Sequence, residues 1–137
     1  MVLADGAGTP LGIHLEKASP AEVKLAVPTL EHLAEAKLEG RPERLVADRA
    51  FDSNGLREHL EQHKIEPIIP ARKNNRVATH QDGRKLRRYR RRWIVERSNA
   101  WLQNFRRLVV RYERRVEIFE AMVYLACSLI TLKRVLG

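Results

Sequence analysis

The stretch from Tyr89 to Gln103, YRRRWIVERSNAWLQ, constrains the fold most, because it joins dense positive charge to residues that form cores. Drawn as an α-helix, it places Tyr89, Arg92 and Glu96 in one narrow sector of its surface, with Gln103 further along that side. One carboxylate is therefore held among arginines, away from the main apolar face. That apolar face is formed by Ile94, Val95, Trp101, Leu102 and Phe105.

This helix alone leaves two interpretations of Glu96 open. A solvated basic helix would use its one glutamate in an intrahelical ion pair with Arg92, four residues earlier. A functional helix would instead present the carboxylate, among cations, for binding or chemistry. The distribution of charge along the chain bears on the choice.

Positive charge is concentrated in one part of the chain. The net charge is +9, but residues 72–115 alone hold 16 Lys and Arg against 3 Asp and Glu. Residues 1–71 are net acidic, with 8 against 12, and residues 116–137 balance at 2 against 2. A local basic block around Glu96 predicts a nucleic-acid-binding surface. A disordered basic tail is disfavoured, because Trp, Ile, Leu and Phe residues are threaded through the block.

Length and composition predict one cytoplasmic domain. At 137 residues the chain can bury a core of its own. The lone Cys127, in an apolar segment, excludes an internal disulfide and a zinc site built from cysteines. No signal peptide opens the sequence, and the longest uncharged apolar run, Ala121 to Leu132, is shorter than the roughly 20 residues that span a bilayer. We therefore expect no membrane partner.

The first 40 residues predict a hairpin followed by a helix. The hairpin pairs Val2 to Ala4 with Pro10 to Glu16 across a turn rich in Asp and Gly. The helix has Ser19 as its N-cap and should run to about Glu39, stopping at Gly40. Pro28 should kink this helix or split it.

The middle of the chain predicts an α/β crossover unit. Arg44 to Phe51 is a short strand, Ser53 or Asn54 caps a helix to about His63, and Glu66 to Pro70 is a second strand. Residues 71–87 form a basic loop. The helix that carries Glu96 can run on to Val110, and the nearly all-apolar helix from Val116 to Leu136 should be buried.

Two carboxylates beside the basic surface suggest chemistry on phosphates. Asp48 follows the apolar part of its strand, and functional groups collect beyond the carboxyl ends of parallel strands. A helix carrying Glu96 could cross the same edge, so the two acids could hold divalent metal while arginines hold phosphates. Asp48 could equally be a strand-end residue, or the neighbour of a helix cap at Asp52.

Three segments resemble the C-terminal catalytic part of bacterial insertion-sequence transposases of the DDE class. ADRAFDSNGLR (47–57) is similar to the family's second-aspartate segment. Tyr89, Arg92 and Glu96 satisfy its Y-x2-R-x3-E signature, and WLQNFRRLVVRYERR (101–115) is similar to the sequence that follows the glutamate. The resemblance implies a ribonuclease-H-like mixed sheet with C-terminal helices. Residues 1–70 would hold the sheet and crossover helices, 71–88 the basic loop, and 89–137 the Glu-bearing and C-terminal helices.

The resemblance also implies a site and its partners. Asp48 and Glu96 would be catalytic ligands of Mg²⁺ or Mn²⁺ in the cleavage and strand transfer of DNA. The partners would be transposon ends, target DNA and a second copy or intact transposase, in a nucleoid-associated protein. The predicted DNA contacts are Tyr89, Arg90, Arg91, Arg92, Arg97, Arg106 and Arg107, together with the loop residues Arg72, Lys73 and Arg76, while Trp93 is the candidate for stacking on bases.

Two departures from the family pattern shape the expectations. Gln103 stands where the family often has a lysine, which leaves Arg106 or Arg107 to serve. The family's first catalytic aspartate lies on a strand upstream of the segment that VLADGAGTPLGIHL resembles, and Asp5 resembles only the hairpin-turn aspartate. We therefore expect an incomplete sheet, with the Asp48 strand at an edge or paired to the hairpin, and an inactive fragment. A non-catalytic DNA-binding protein and an RNA-binding protein are the alternatives.

Overall fold

The computed structural model of the protein describes residues 1–16, 21–35, 42–73 and 85–137. These residues form two compact units. The first unit consists of Met1 and residues 16–92, and the second joins residues 2–15 to residues 93–137.

The first unit is built on a parallel crossover, as the sequence predicts. Strand β3 (Arg44–Val46) pairs in parallel with β4 (Glu66–Ile68), and helix α2 (Asn54–Gln62) connects them. Helix α1 (Val23–Glu35) packs against α2. Buried side chains come from both helices and from the segment around β4, and they are Leu25, Ala26, Leu30, Leu33, Leu56, Leu60, Ile65, Ile68 and Ile69.

The second unit packs a hairpin on helices. Strands β1 (Val2–Ala4) and β2 (Pro10–Ile13) pair antiparallel, which confirms the predicted hairpin, although β2 ends three residues before Glu16. Helices α3 (Trp93–Gln103), α4 (Arg106–Val109) and α5 (Val116–Val135) complete the unit. Its core cluster is Ile13, Leu102, Val123, Ala126, Cys127 and Ile130.

The described strands form two two-stranded sheets rather than one larger sheet. Within the described residues β3 is hydrogen-bonded to β4 alone, so the strand before Asp48 lies at a sheet edge, which is one of the two expected outcomes. The α/β class is thus confirmed, while the ribonuclease-H-like sheet stays a prediction.

Helix α1 begins later in the sequence than predicted. It begins at Val23, after a turn in which Lys24 N–H donates to Ala21 O (2.9 Å), and the predicted N-cap, Ser19, lies outside the described residues. Pro28 lies inside the helix and does not split it. The predicted end near Glu39 and Gly40 falls outside the described residues.

The strand that leads to Asp48 is also shorter than predicted. It ends at Val46, and residues Arg49–Phe51 form a 3₁₀ helix with Asp48 as N-cap. The cap explains the early end, because the Asp48 carboxylate bonds the backbone that a longer strand would offer to a neighbour. Ser53 caps α2 by accepting from Leu56 N–H (3.2 Å), as predicted, and β4 stops at Ile68 rather than Pro70.

The segment from Tyr89 to Gln103 is not one α-helix. Lys85–Arg92 is a 3₁₀ helix, α3 begins at Trp93, and α4 is separate from it. Six of the eight residues in KLRRYRRR are cationic, so like charges lie close together along this segment. In a 3₁₀ helix residues three apart eclipse, which still places Tyr89 and Arg92 on one side.

Helix α5 is buried along one face only, so the expectation of a buried helix holds for that face and fails for the other. Ile130 is 7% exposed, whereas Leu125 is 62% exposed and Leu132 is 52% exposed. Hairpin strand β2 and helices α3 and α4 of the same unit pack against α5. In the described parts of the chain no helix is long and apolar enough to cross a bilayer.

Candidate functional site

Asp48 lies at the carboxyl end of β3, where the sequence predicted a functional carboxylate. Its Oδ1 accepts a hydrogen bond from Ala50 N–H (2.7 Å), which caps the 3₁₀ helix. The side chain is 36% exposed. One carboxylate oxygen is thus fixed by the backbone on an accessible edge of the first unit.

Arg92 and Tyr89 lie beside Asp48 within the same unit. Nη1 of Arg92 donates to Tyr89 Oη (3.0 Å) and lies 4.0 Å from Asp48 Oδ2. Tyr89 and Arg92 belong to the 3₁₀ helix Lys85–Arg92, and Glu66 of β4 holds that helix to the sheet. Oε2 of Glu66 lies 3.3 Å from Arg88 Nη1 and 3.2 Å from Arg44 Nε. The structure therefore brings together three residues that the family signature and the strand edge singled out separately.

A buried ion pair lies under the Asp48 turn, which we define as residues 48–52. Asp52 is 6% exposed, and its Oδ1 accepts from Arg57 Nε (2.9 Å) and lies 2.8 Å from Arg57 Nη2. Arg57 Nη2 also donates to Ile69 O (2.7 Å) at the end of β4. The pair ties the turn, α2 and the strand end together.

Sequence reasoning missed this network. It considered Asp52 only as a possible helix cap and gave Arg57 no role. The available signal was the position of Arg57 between Leu56 and Leu60 on the apolar side of α2, because an arginine there requires an acidic partner.

Arg72 closes the same turn from the other side. Its backbone N–H donates to Asp52 Oδ2 (2.6 Å). Its guanidinium donates twice to the turn, from Nε to Arg49 O (3.0 Å) and from Nη2 to Ala50 O. The structure thus gives this predicted DNA contact two backbone partners.

Three of the remaining predicted DNA contacts of the first unit are exposed to solvent. Arg90, Arg91 and Lys73 are exposed. Arg76 lies outside the described residues.

Glu96 is in the second unit, on the exposed side of the first turn of α3. A carboxylate there interacts favourably with the positive end of the helix dipole.

Arg97 joins α3 to the hairpin turn. Its guanidinium lies between the rings of Trp93 (4.8 Å) and Trp101 (4.9 Å), and its Nη2 donates to Ala7 O (2.7 Å). Ser98 Oγ donates to Gly8 O (2.7 Å). Gly8 has a φ of +87°, and a Cβ there would lie 3.0 Å from Arg97 Nη2, so the turn requires glycine. Trp93 is 53% exposed.

Arg106 and Arg107 are exposed on the short helix α4. Arg107 Nη1 lies 3.3 Å from Oε1 of Glu113, whose side chain is almost wholly buried. Gln103 is exposed at the end of α3. This part of the second unit therefore presents basic groups to solvent.

Asp5 is a turn residue, as the sequence indicated. Its Oδ1 accepts from Ala7 N–H and from Thr9 N–H, both at 2.8 Å. Burial alone would raise the pKa of Asp5, but these bonds, with the charge of Arg134, bring the pKa below its usual value. Burial raises the pKa of the Cys127 thiol.

Metal ligands are sparse in the part of the chain that the structure describes. There, no group of three or more His, Cys, Asp or Glu side chains could hold a metal ion. The ring centroids of His59 and His63 lie 4.3 Å apart in a stacked arrangement, and His63 Nδ1 lies 2.8 Å from His59 O. These two histidines therefore contact each other within α2 and its C-cap. Asp48 carries an accessible carboxylate, which is the type of oxygen donor that Mg²⁺ prefers.

Comparison with known proteins identifies the class. The family model described as Transposase DDE domain matches residues 1–131. A curated protein of Burkholderia cepacia, named as a transposase for insertion sequence element IS402, is 38% identical over 141 residues, covering 97% of this chain. The chain belongs to the DDE family of insertion-sequence transposases. It spans 63% of the length of that relative, and no solved structure matches it significantly.

Proposed function

We propose that this chain carries catalytic and DNA-binding residues of a transposase that cuts transposon ends and joins them to target DNA. One observation carries the proposal: Asp48 lies at the edge of β3 with Arg92 Nη1 4.0 Å from its Oδ2, and both residues fall in family-matching segments. A carboxylate beside a cation at a strand edge suits metal-assisted chemistry on a phosphate.

Asp48 and Glu96 are the proposed ligands of Mg²⁺ or Mn²⁺. Asp48 fits such an ion because it offers an accessible carboxylate whose other oxygen is fixed by Ala50 N–H. When bound, a pair of divalent ions activates a water molecule and stabilises the leaving oxygen of a phosphodiester.

The proposed phosphate contacts divide by their surroundings. Arg90, Arg91, Arg106 and Arg107 are exposed and can reach a polyanion directly. Tyr89 and Arg92 would hold the phosphate nearest to Asp48, since they lie beside it. Lys73 is exposed and would add a non-specific phosphate contact, and Arg76, outside the described residues, is proposed as a further contact from the sequence alone. Binding of this kind would place the protein on the nucleoid.

Cleavage by matched variants tests the proposal. Joined to the remaining part of a full-length family member, the chain should nick duplex DNA carrying element ends when Mg²⁺ or Mn²⁺ is added. Asp48→Asn and Glu96→Gln should each abolish nicking while DNA affinity changes by less than about threefold. Glu58→Gln, an exposed acid on α2, is the control and should nick normally.

The alternative function, DNA binding without cleavage, is an outcome of the same assay. It would be supported if this joined protein bound element ends tightly but did not nick them with either metal. Normal nicking by Asp48→Asn would show that the ligand set is different.

A further inference from the structure

Within the Asp48 turn, both the backbone N–H and the backbone carbonyl of Ala50 form hydrogen bonds to side chains. The Ala50 N–H donates to Asp48 Oδ1 (2.7 Å), and the Ala50 carbonyl accepts from Arg72 Nη2. Within the turn, Phe51 N–H donates to Asp48 O (3.1 Å) and Asp52 N–H donates to Arg49 O (3.2 Å). The Ala50 N–H shares its peptide group with Arg49 O, which accepts from Arg72 Nε (3.0 Å), so a rotation of the Arg49–Ala50 peptide would break the bond that orients the Asp48 carboxylate.

Arg72 is held in place by buried charge. Its own N–H donates to Oδ2 of Asp52, whose side chain is fully buried, and the other oxygen of Asp52 is paired with Arg57. The Arg57 side chain is only 10% exposed. A buried pair of this kind is costly to separate, so the base of Arg72 has a fixed position relative to the turn.

The planar guanidinium of Arg72 donates two hydrogen bonds to the turn from one forked group. Nε reaches Arg49 O and Nη2 reaches Ala50 O, two successive carbonyls of the turn. A planar guanidinium presents both donors at a fixed separation, whereas a lysine ammonium is a single point of charge on a flexible stem. Lysine would keep the charge but lose one or both bonds.

We propose that Arg72 is a positioning residue for Asp48: anchored on the Asp52–Arg57 pair, it holds Arg49 O and with it the Arg49–Ala50 peptide, whose N–H orients the Asp48 carboxylate. The importance of this aim for metal binding rests on the proposed function, but the lock itself does not. The same guanidinium was predicted as a phosphate clamp, and the two roles give opposite results for one variant.

Arg72→Lys separates the roles. A phosphate clamp tolerates lysine, because charge supplies most of non-specific DNA affinity. A positioning residue does not, because the fork is lost. Lys73→Gln, the adjacent exposed residue, is the matched control, since it removes a charge without touching the turn.

The first measurement is the amide exchange rate of Ala50, followed by magnetisation transfer from water in the NMR spectrum of the chain. Arg72→Lys and Arg72→Gln should each speed exchange by about fivefold to tenfold, which corresponds to the loss of one hydrogen bond. Lys73→Gln should leave the rate unchanged. Circular dichroism confirms that each variant folds, and an unchanged Ala50 rate in folded Arg72→Lys would overturn the proposal.

The second measurement links the lock to metal without requiring cleavage. Mn²⁺ titrated into the wild-type chain should broaden the amide signals of residues 47–50, and Asp48→Asn should remove this broadening. Arg72→Lys should need at least about threefold more Mn²⁺, and Lys73→Gln should not.

The outcomes keep the two proposals apart. Equal Mn²⁺ response in wild type and Arg72→Lys would overturn the positioning role toward metal. No broadening in the wild type would count against metal binding at Asp48, and the Ala50 exchange rates would then decide the positioning role alone.

Discussion

Asp5 shows how a single carboxylate organises a turn. Its Oδ1 accepts two backbone N–H groups, from Ala7 and Thr9, and the turn it closes docks on α3 through Ser98. The short spacing of these partners made this residue recognisable from the sequence. Asp52 has the opposite character, because its partners Arg57 and Arg72 lie five and twenty residues away, and only the fold brings them together.

The lowered pKa of Asp5 predicts an acid-labile turn. A carboxyl group whose pKa is lower in the folded chain contributes stability above its unfolded pKa of about 3.9, and this contribution is lost as the pH falls through the folded pKa. Asp5→Ala should therefore reduce the free energy of unfolding by about 1–2 kcal/mol at pH 7 and by much less at pH 2.

Denaturant unfolding at several pH values measures this effect. Asp5→Asn is the control, because it keeps an acceptor oxygen but cannot titrate. It should lie between wild type and Asp5→Ala at pH 7 and should lack the acid-dependent part of the stability. An equal loss for Asp5→Ala at both pH values would contradict the assignment.

At the scale of elements, the sequence predicted the order and caps of strands and helices better than it predicted which side of a helix is buried. The alternation of strand, helix and strand predicted the crossover of β3, α2 and β4, and Ser53 predicted the start of α2. The run KLRRYRRR departs from the periodicity prediction, because it forms a 3₁₀ helix rather than the α-helix that its spacing suggested. For α5, apolar residues all round the helix could not reveal which side meets a partner element.

The two faces of α5 should differ in their sensitivity to truncation. Ile130→Ala removes a side chain that is 7% exposed and belongs to the core cluster, so it should cost about 2–5 kcal/mol. Leu125→Ala, at 62% exposure on the same helix, should cost less than about 1 kcal/mol. Thermal or denaturant unfolding distinguishes the two, and similar losses would mean that the exposed face is covered in solution.

At the scale of the whole molecule, charge was the most informative part of the sequence. The excess of Lys and Arg in residues 72–115 predicted a basic surface, and the described residues of that segment present Arg90, Arg91, Arg106 and Arg107 to solvent. The family followed from three short stretches. The arrangement of strands did not, because short strands pair through the backbone and leave little trace in side-chain patterns.

The basic surface predicts salt-dependent DNA binding. The logarithm of the association constant should fall with the logarithm of salt concentration with a slope of about −0.9 for each phosphate neutralised. Arg90→Ala or Arg91→Ala should weaken binding to all duplex sequences about equally and reduce that slope by about one. Fluorescence anisotropy over a salt series measures both, with Lys24→Ala on α1 as the control, and binding that ignores salt would refute the prediction.

The stacking of Arg97 between Trp93 and Trp101 gives the molecule an uneven set of optical reporters. These are the only two tryptophans in the sequence, and both lie on α3 in the second unit. Tryptophan emission therefore reports on the second unit and not on the first. A melt followed by tryptophan emission and a melt followed by far-ultraviolet dichroism therefore observe different parts of the chain. Coincident curves would mean that both units melt as one cooperative block, and separated curves would assign each unit its own transition.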